Sequence, residues 1–124
     1  MKKILITGGS GFIGTNFINL ISSQNYKILN IDKLSKISTP ERFKLIKNPK
    51  KYFFLKNDLK NYIKIAKILV KFKPDIIINF AAESHVDRSI NDPLYFIKNN
   101  INSASNLFLA YSKFYKRKKI KLFH

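Results

Sequence analysis

The chain has no cysteine and no tryptophan, only 4 glycines and 4 prolines in 124 residues, and 7 Asp+Glu against 24 Lys+Arg. Each shortage excludes something. Without cysteine there are no disulfides and no thiolate zinc sites, which accords with a reducing cytoplasm. A secretory leader needs roughly 7–15 apolar residues behind a basic start. The opening MKKILITGG has two lysines but breaks into glycine too soon. A membrane span needs about 20 apolar residues, and no run approaches that. The expectation is a soluble, cytoplasmic protein.

The shortage of acid leaves a formal charge of +17, which invites a nucleic-acid reading. Yet arginine, the residue suited to bidentate recognition of bases and phosphates, occurs only at Arg42, Arg88 and Arg117. Lysine on solvated helix faces is the simpler account, and no specific nucleic-acid partner is expected. The basic run Lys116–Lys119 reads as a solvated turn. The remaining composition is 45% hydrophobic, enough to fill the core of one domain.

Short apolar runs alternate with helical stripes. Lys3–Thr7, Lys27–Ile31, Tyr52–Leu55 and Asp75–Phe80 read as strands, and Ile120–Phe123 starts a fifth. Between them, Phe12–Ser23 carries a stripe of Phe12, Ile13, Phe17, Ile18, Leu20 and Ile21. Thr39-Pro40 marks a helix start. Leu59–Phe72 places Leu59, Ile63, Ala66, Leu69 and Val70 on one face, and Pro74 stops it. Asp92-Pro93 opens a long helix to about Lys116, with Phe96, Ile97, Ile101, Ala104, Leu107, Phe108 and Tyr111 inward. This alternation predicts an α/β fold, a Rossmann-type doubly wound parallel sheet with right-handed crossovers. Residues 1–124 form one domain without repeats or linkers, and a fifth strand begun at the last residues suggests a truncated chain.

All four glycines fall in one loop, Thr7-Gly8-Gly9-Ser10-Gly11-Phe12-Ile13-Gly14. Gly9, Gly11 and Gly14 fit G-x-G-x-x-G; Gly8, Gly11 and Gly14 fit the spacing G-x-x-G-x-x-G. A lone glycine pattern is weak evidence. Here a strand precedes it, a helix follows, and Asp32 ends the next strand at close to the expected ~20-residue spacing. Such a loop brings backbone amides and a helix N-terminus to a pyrophosphate. The Asp32 carboxylate suits ribose hydroxyls and repels a 2′-phosphate, so NAD is favoured over NADP. A tight structural turn with an ordinary aspartate is the alternative. Asp58-Leu59, after the third strand, stands where an adenine would approach, but Asp58 reads equally well as a helix cap.

The segment Ala81-Ala82-Glu83-Ser84-His85-Val86-Asp87-Arg88-Ser89 follows the apolar run Ile76–Phe80. A Ser84/His85/Asp87 triad is excluded by geometry, since neighbours in an extended segment point apart and triads assemble from separate parts of a fold. A metal site lacks a second nearby histidine. A structural loop with an Asp87–Arg88 ion pair stays open. Position favours a ligand wall, because ligands in such sheets sit beyond the strand ends at the switch point. Ala81 and Ala82 would let a dinucleotide lie close, and Ser84 would reach a substrate hydroxyl or phosphate.

TGGSGFIG, Asp32-Lys33-Leu34-Ser35, Asp58-Leu59 and above all FAAESHVDRSI together resemble the dTDP-glucose 4,6-dehydratases, within the extended short-chain dehydrogenase/reductase superfamily. The resemblance runs through essentially the whole chain. It implies an NAD-dependent lyase of nucleotide-sugar metabolism, in dTDP-rhamnose biosynthesis, acting on a sugar nucleotide. It implies oxidation at C4, loss of water across C5–C6 and reduction at C6. It implies that Gly8, Gly11, Phe12, Ile13 and Gly14 hold the pyrophosphate, Asp32, Lys33, Leu34 and Ser35 the adenosine, and Asp58 and Leu59 the adenine edge. Phe80, Ala81, Ala82, Glu83 and Ser84 line the nicotinamide side, and Ser84 also meets the substrate. Asn99 matches a cofactor-contacting position that is commonly threonine; otherwise it lies on a polar helix face. Ser103-Ala104 departs from the family's Gly-Thr.

The family's catalytic Tyr-x-x-x-Lys and Asp-Glu pairs are expected beyond His124. Two chance matches occur, Tyr52…Lys56 in a strand and Tyr115…Lys119 in a turn, and neither is given a catalytic role. The chain is expected to supply the cofactor-binding half of the enzyme, inactive alone, with a homodimer expected of the complete protein. Another sugar-nucleotide epimerase or dehydratase, or a non-catalytic NAD-binding remnant, are the alternatives.

Overall fold

The computed structural model describes residues 1–35, 46–84 and 86–124, and for Arg88 the backbone alone. Five strands form one parallel sheet in the order β3-β2-β1-β4-β5: β1 (Lys2–Thr7), β2 (Tyr26–Asp32), β3 (Tyr52–Lys56), β4 (Ile76–Asn79) and β5 (Lys121–Phe123). Among the described residues four α-helices accompany them, α1 (Phe12–Ile21), α2 (Tyr62–Phe72), α3 (Val86–Asn91) and α4 (Pro93–Tyr115), with a short 3-10 turn at Pro49–Lys51. The order runs outward from β1 in both directions. The chain therefore reverses its winding between β1 and β4, which leaves a crevice at the carboxyl ends of those strands.

Strand alternation splits the core in two. Leu5, Ile31 and Ile77 point to the face covered by Leu69 of α2 and Leu107, Ala110 and Phe114 of α4. Ile4, Ile6 and Ile28 point to the other face, against Ile18 and Ile21 of α1. Ile6, Ile18, Leu69, Ile77 and Leu107 are fully enclosed, and each such side chain contributes roughly 1.5–3 kcal/mol of burial.

Local chemistry sets the helix ends. The Asn61 side chain accepts from the Lys64 N–H at 3.0 Å and opens α2; Lys73, in the left-handed region at φ 53, closes it before Pro74. Asp92 accepts from the Tyr95 N–H at 3.0 Å and Pro93 stands at the first turn of α4. Asp75 staples three segments. It accepts from the Lys3 N–H at 2.7 Å and from Lys118 Nζ at 2.6 Å, while its carbonyl accepts from the Lys121 N–H at 3.2 Å. The Lys118 hydrogen bond, then the Lys3 amide, hold this carboxyl below its ordinary pKa.

Several expectations need correction. Phe12, Ile13 and Leu20 of α1, and Ile63 and Val70 of α2, are exposed; Ile65 and Leu69 are the residues that α2 buries. Asn61, not Asp58, caps α2, and the helix starts at Tyr62, with Leu59 buried before it. In α4, Ile97, Ile101 and Phe108 face outward, whereas Phe96, Asn99, Ser103, Leu107, Ala110 and Phe114 face inward. Phe96 and Leu107 face inward and Tyr111 packs on the core as expected, but the inner face also carries polar residues toward the crevice, so hydropathy marked only part of the stripe. Asn99 is accordingly buried, not on a polar outer face. Val86–Asn91 is helical rather than extended. The helix start at Thr39-Pro40 lies outside the described residues. Among those described, no helix is long and apolar enough to cross a membrane.

Candidate cofactor cleft at the switch point

The crevice is a cleft of about 210 Å³ beyond the carboxyl ends of β1, β2 and β4. Five segments build it. The β1–α1 loop supplies Gly8, Gly11 and Phe12; the end of β2 supplies Ile31, Asp32, Lys33 and Ser35. Asn57, Asp58 and Leu59 follow β3, Phe80 to Ser84 follow β4, and Asn99 and Ser103 reach in from α4. All the residues singled out in the sequence line it except Ile13, Gly14 and Leu34. Ile31, Asn57 and Ser103 were missed. Ser103 had a signal, since it lies one helical turn beyond Asn99.

The glycine loop is held by the strands around it. The Gly8 N–H donates to the Ile31 carbonyl at 2.9 Å, and the Phe80 N–H to that of Thr7 at 2.8 Å. Gly8 sits at φ 70, and a Cβ there would stand 2.4 Å from the Ala81 nitrogen. Gly14 meets the same limit, with a virtual Cβ 2.5 Å from the Gly8 carbonyl oxygen. These two glycines serve close packing of the protein on itself. Gly11 does not: it has ordinary extended backbone at φ −74 and ψ 174, and its virtual Cβ would meet only the Gly8 oxygen, at 3.4 Å. Gly11 lines the cleft at the start of α1, so the space kept open there faces a ligand rather than the protein.

A buried amide fixes this loop from below. Asn30, in the middle of β2 and fully enclosed, accepts from the Gly9 N–H at 3.1 Å. Its amide nitrogen donates to Ser10 Oγ at 3.3 Å and to the Tyr52 hydroxyl at 3.0 Å. Burial pushes the Tyr52 phenol up to about 12, so it stays neutral. Sequence reading passed over Asn30, although an amide inside an apolar strand is itself a signal. Asn79 does similar work at the β4 end. Its oxygen accepts from the Thr7 hydroxyl and from the Ala81 N–H, the latter at 3.1 Å. Its nitrogen lies 2.8 Å from the His124 ring.

The charges are unevenly placed. Of the 7 acids in the chain, Asp32, Asp58 and Glu83 line the cleft, while Lys33 is the one cation among the described residues of the lining. Asp32 Oδ2 accepts from the Ser10 N–H at 2.9 Å and Oδ1 from the Leu34 N–H at 2.8 Å. Asp58 Oδ1 accepts from the Lys60 N–H at 2.9 Å. Lys33 forms an ion pair with Glu83. Partial burial pulls the Lys33 pKa down, but the hydrogen bond and charge of Glu83 outweigh this and raise it above the usual lysine value.

The residues fit a dinucleotide. Amides at the start of α1 can take a diphosphate, the space at Gly11 lets it approach, and Asn99 offers a buried carbonyl oxygen that has no partner within the protein. Among the described residues of the cleft lining, neither tyrosine of the two Tyr-x-x-x-Lys matches is present. Tyr52 is engaged beneath the glycine loop, and Tyr115 carries Lys119 over its ring at 4.2 Å, on the opposite end of α4 from Asn99. Ser84 is exposed and Asp87 is exposed; His85 and the Arg88 side chain lie outside the described residues. Among the described residues no group of three metal-ligating side chains occurs.

The comparisons with known proteins agree with this geometry. The dTDP-glucose 4,6-dehydratase of Escherichia coli is 42% identical over 100 residues, which is 80% of this chain and 28% of that enzyme. Among solved structures, dTDP-glucose 4,6-dehydratase from Bacillus anthracis in complex with NAD superposes with TM-score 0.79 at 30% identity, over 98% of this chain and 36% of that one. The UDP-Glc/GlcNAc 4-epimerase of Campylobacter jejuni gives TM-score 0.82 at 27% identity, over 91% of this chain and 34% of that one. The chain thus spans about a third of the length of the curated relatives it matches. A family model described as GDP-mannose 4,6 dehydratase matches residues 5–124. With its glycine loop, its switch-point cleft and this match over nearly its whole length, the chain belongs to the GDP-mannose 4,6 dehydratase family.

Proposed function

We propose that the chain is the NAD-binding portion of a sugar-nucleotide dehydratase that converts dTDP-glucose to dTDP-4-keto-6-deoxyglucose. The observation that carries this reading is the open space over Gly11, at a helix start and inside the cleft, where neither backbone strain nor internal packing calls for glycine. Likeness to the E. coli dehydratase supports the substrate, and the lack of cysteine accords with a cytoplasmic setting.

In this reading NAD supplies hydride acceptance and return when bound. The chain's own residues bind and orient. Amides of the glycine loop and of the first turn of α1 take the diphosphate, with Gly11 allowing contact and Phe12 beside it. The Asp32 carboxylate takes the adenosine ribose hydroxyls, and Asp58 and Leu59 border the adenine. Ala81 and Ala82 keep the wall after β4 low, and Asn99 presents its free carbonyl oxygen below. Ser84, exposed at the cleft's outer end, meets the sugar nucleotide.

Titration calorimetry of the protein with NAD⁺ is expected to show saturable binding that persists in moderate salt. Binding that collapses with salt would mark a charge-driven association and sink the reading. Because the described lining of the cleft includes neither Tyr52 nor Tyr115, these 124 residues given dTDP-glucose and NAD⁺ are expected to form no 4-keto-6-deoxy product. Detecting that product would refute the assignment of a purely cofactor-binding role.

We also propose that the chain pairs with a second copy through the outer face of α4. Ile97, Ile101 and Phe108 are 53%, 57% and 38% exposed along it, and exposed apolar side chains gathered on one helix face are of the kind that marks an interface. Sedimentation should show a dimer that Ile101→Lys dissociates; an unmodified protein that stays monomeric at high concentration refutes this.

A further inference from the structure

β2 ends on an acid and a base side by side, Asp32 and Lys33. In dinucleotide folds an acid at this position holds the ribose 2′-hydroxyl of NAD, whereas a cation beside it accommodates the 2′-phosphate of NADP. The sequence therefore offers the device for either cofactor. Geometry decides between them. The Lys33 ammonium is turned across the cleft to the carboxylate of Glu83, which follows β4. β2 and β4 lie on opposite sides of β1, so the pair bridges the carboxyl ends of three strands.

Glu83 is held so that it can do this. Its N–H donates to Asn100 Oδ1 at 2.8 Å, and its carbonyl accepts from Asn100 Nδ2 at 3.0 Å. Both bonds tie the loop to the 23-residue helix α4. The Glu83 side chain is only 11% exposed, so removing its partner would strand a largely buried carboxylate, and Lys33 is held there. Asp32 is equally fixed, by the Ser10 and Leu34 amides, and cannot compete for the ammonium by swinging toward it.

We infer that Glu83 is a specificity-determining residue: by engaging Lys33 it withholds the only cation in the described cleft lining from the adenosine 2′ position, leaving Asp32 and Asp58 to repel a 2′-phosphate. This rests on reading the cleft as a dinucleotide site. Without Glu83, Lys33 would be free to turn back toward the end of β2, where its charge would offset that repulsion.

The test is the ratio of NADP⁺ to NAD⁺ dissociation constants, measured by calorimetry. Glu83→Gln keeps the shape and removes the charge. It should lower the ratio about tenfold, the size of one charge-assisted hydrogen bond. Adding Lys33→Met to Glu83→Gln should restore the original ratio. Lys33→Met alone, in the presence of Glu83, should alter both affinities by the same factor. An unchanged ratio in Glu83→Gln overturns the inference. So does a rise in the ratio on Lys33→Met alone, since Lys33 would then already be serving the phosphate; this arm decides the matter even if Glu83→Gln fails to fold. If the unmodified protein binds neither dinucleotide, it is the reading of the cleft that has failed.

Discussion

Gly11→Val should leave the protein folded and remove most of its affinity for NAD⁺. Two features of the loop make these effects separable. Gly11 has backbone angles that valine adopts without strain, φ −74 and ψ 174. A Cβ there touches only one atom at ordinary contact distance, the Gly8 oxygen at 3.4 Å. The added side chain points into the cleft, where it takes the space of the diphosphate and shields amides at the start of α1. A loss of ~100-fold or more in affinity, about 3 kcal/mol, is expected. The melting temperature without ligand should stay within a few degrees. Gly14→Val is the contrast: its Cβ falls 2.5 Å from the Gly8 carbonyl oxygen and 2.6 Å from the Gly9 Cα, both backbone, so it should unfold the domain. Unchanged calorimetric titration of a folded Gly11→Val protein would remove the principal support for a dinucleotide in this cleft.

Asn30→Leu should have the largest effect on stability among single changes that conserve side-chain volume. The substitution strips the Gly9 N–H of its acceptor and takes away the donor to Ser10 Oγ, both buried, and the donor to the half-buried Tyr52 hydroxyl. Stranding a buried polar group costs about 1–3 kcal/mol, so a loss of about 3 kcal/mol in urea unfolding is expected. Tyr52→Phe removes one of these contacts only and should cost about 1 kcal/mol. NAD⁺ binding should weaken in Asn30→Leu beyond what global instability explains, since the amides of the loop lose their support. A stability change below that of Tyr52→Phe would show that the network does not hold the loop.

The sequence made the β–α alternation legible because the central strands β1, β2 and β4 are largely enclosed and leave apolar runs, while the edge strand β3 keeps such a run although Phe53, Phe54 and Leu55 are exposed. The glycine loop and Asp32 were legible for a related reason: their spacing is set by backbone geometry, which sequence records directly. Helix faces were harder. In α4 the inward positions include Asn99 and Ser103, because that side of the helix walls a polar cleft, while Ile97 and Ile101 look outward. A hydrophobic stripe identifies a side suited to avoid water, and in α4 such residues stand on the exposed side as well as on the core side. Side-chain amides were hardest. Asn30, Asn79 and Asn100 each organise a loop through two or more bonds, yet asparagine abounds in this chain and its partners lie far away in sequence. Pairing between Lys33 and Glu83, 50 positions apart, depends wholly on the strand order that brings β2 and β4 to either side of β1.

The gathering of three of the seven carboxylates into one notch leaves the charge on the remaining exterior of this +17 molecule predominantly cationic. Two copies approaching one another therefore meet a colloidal barrier before any apolar surfaces touch. Counterions lower such a barrier while leaving short-range contact intact, so the self-association proposed for the outer side of α4 should tighten, not loosen, as ionic strength rises.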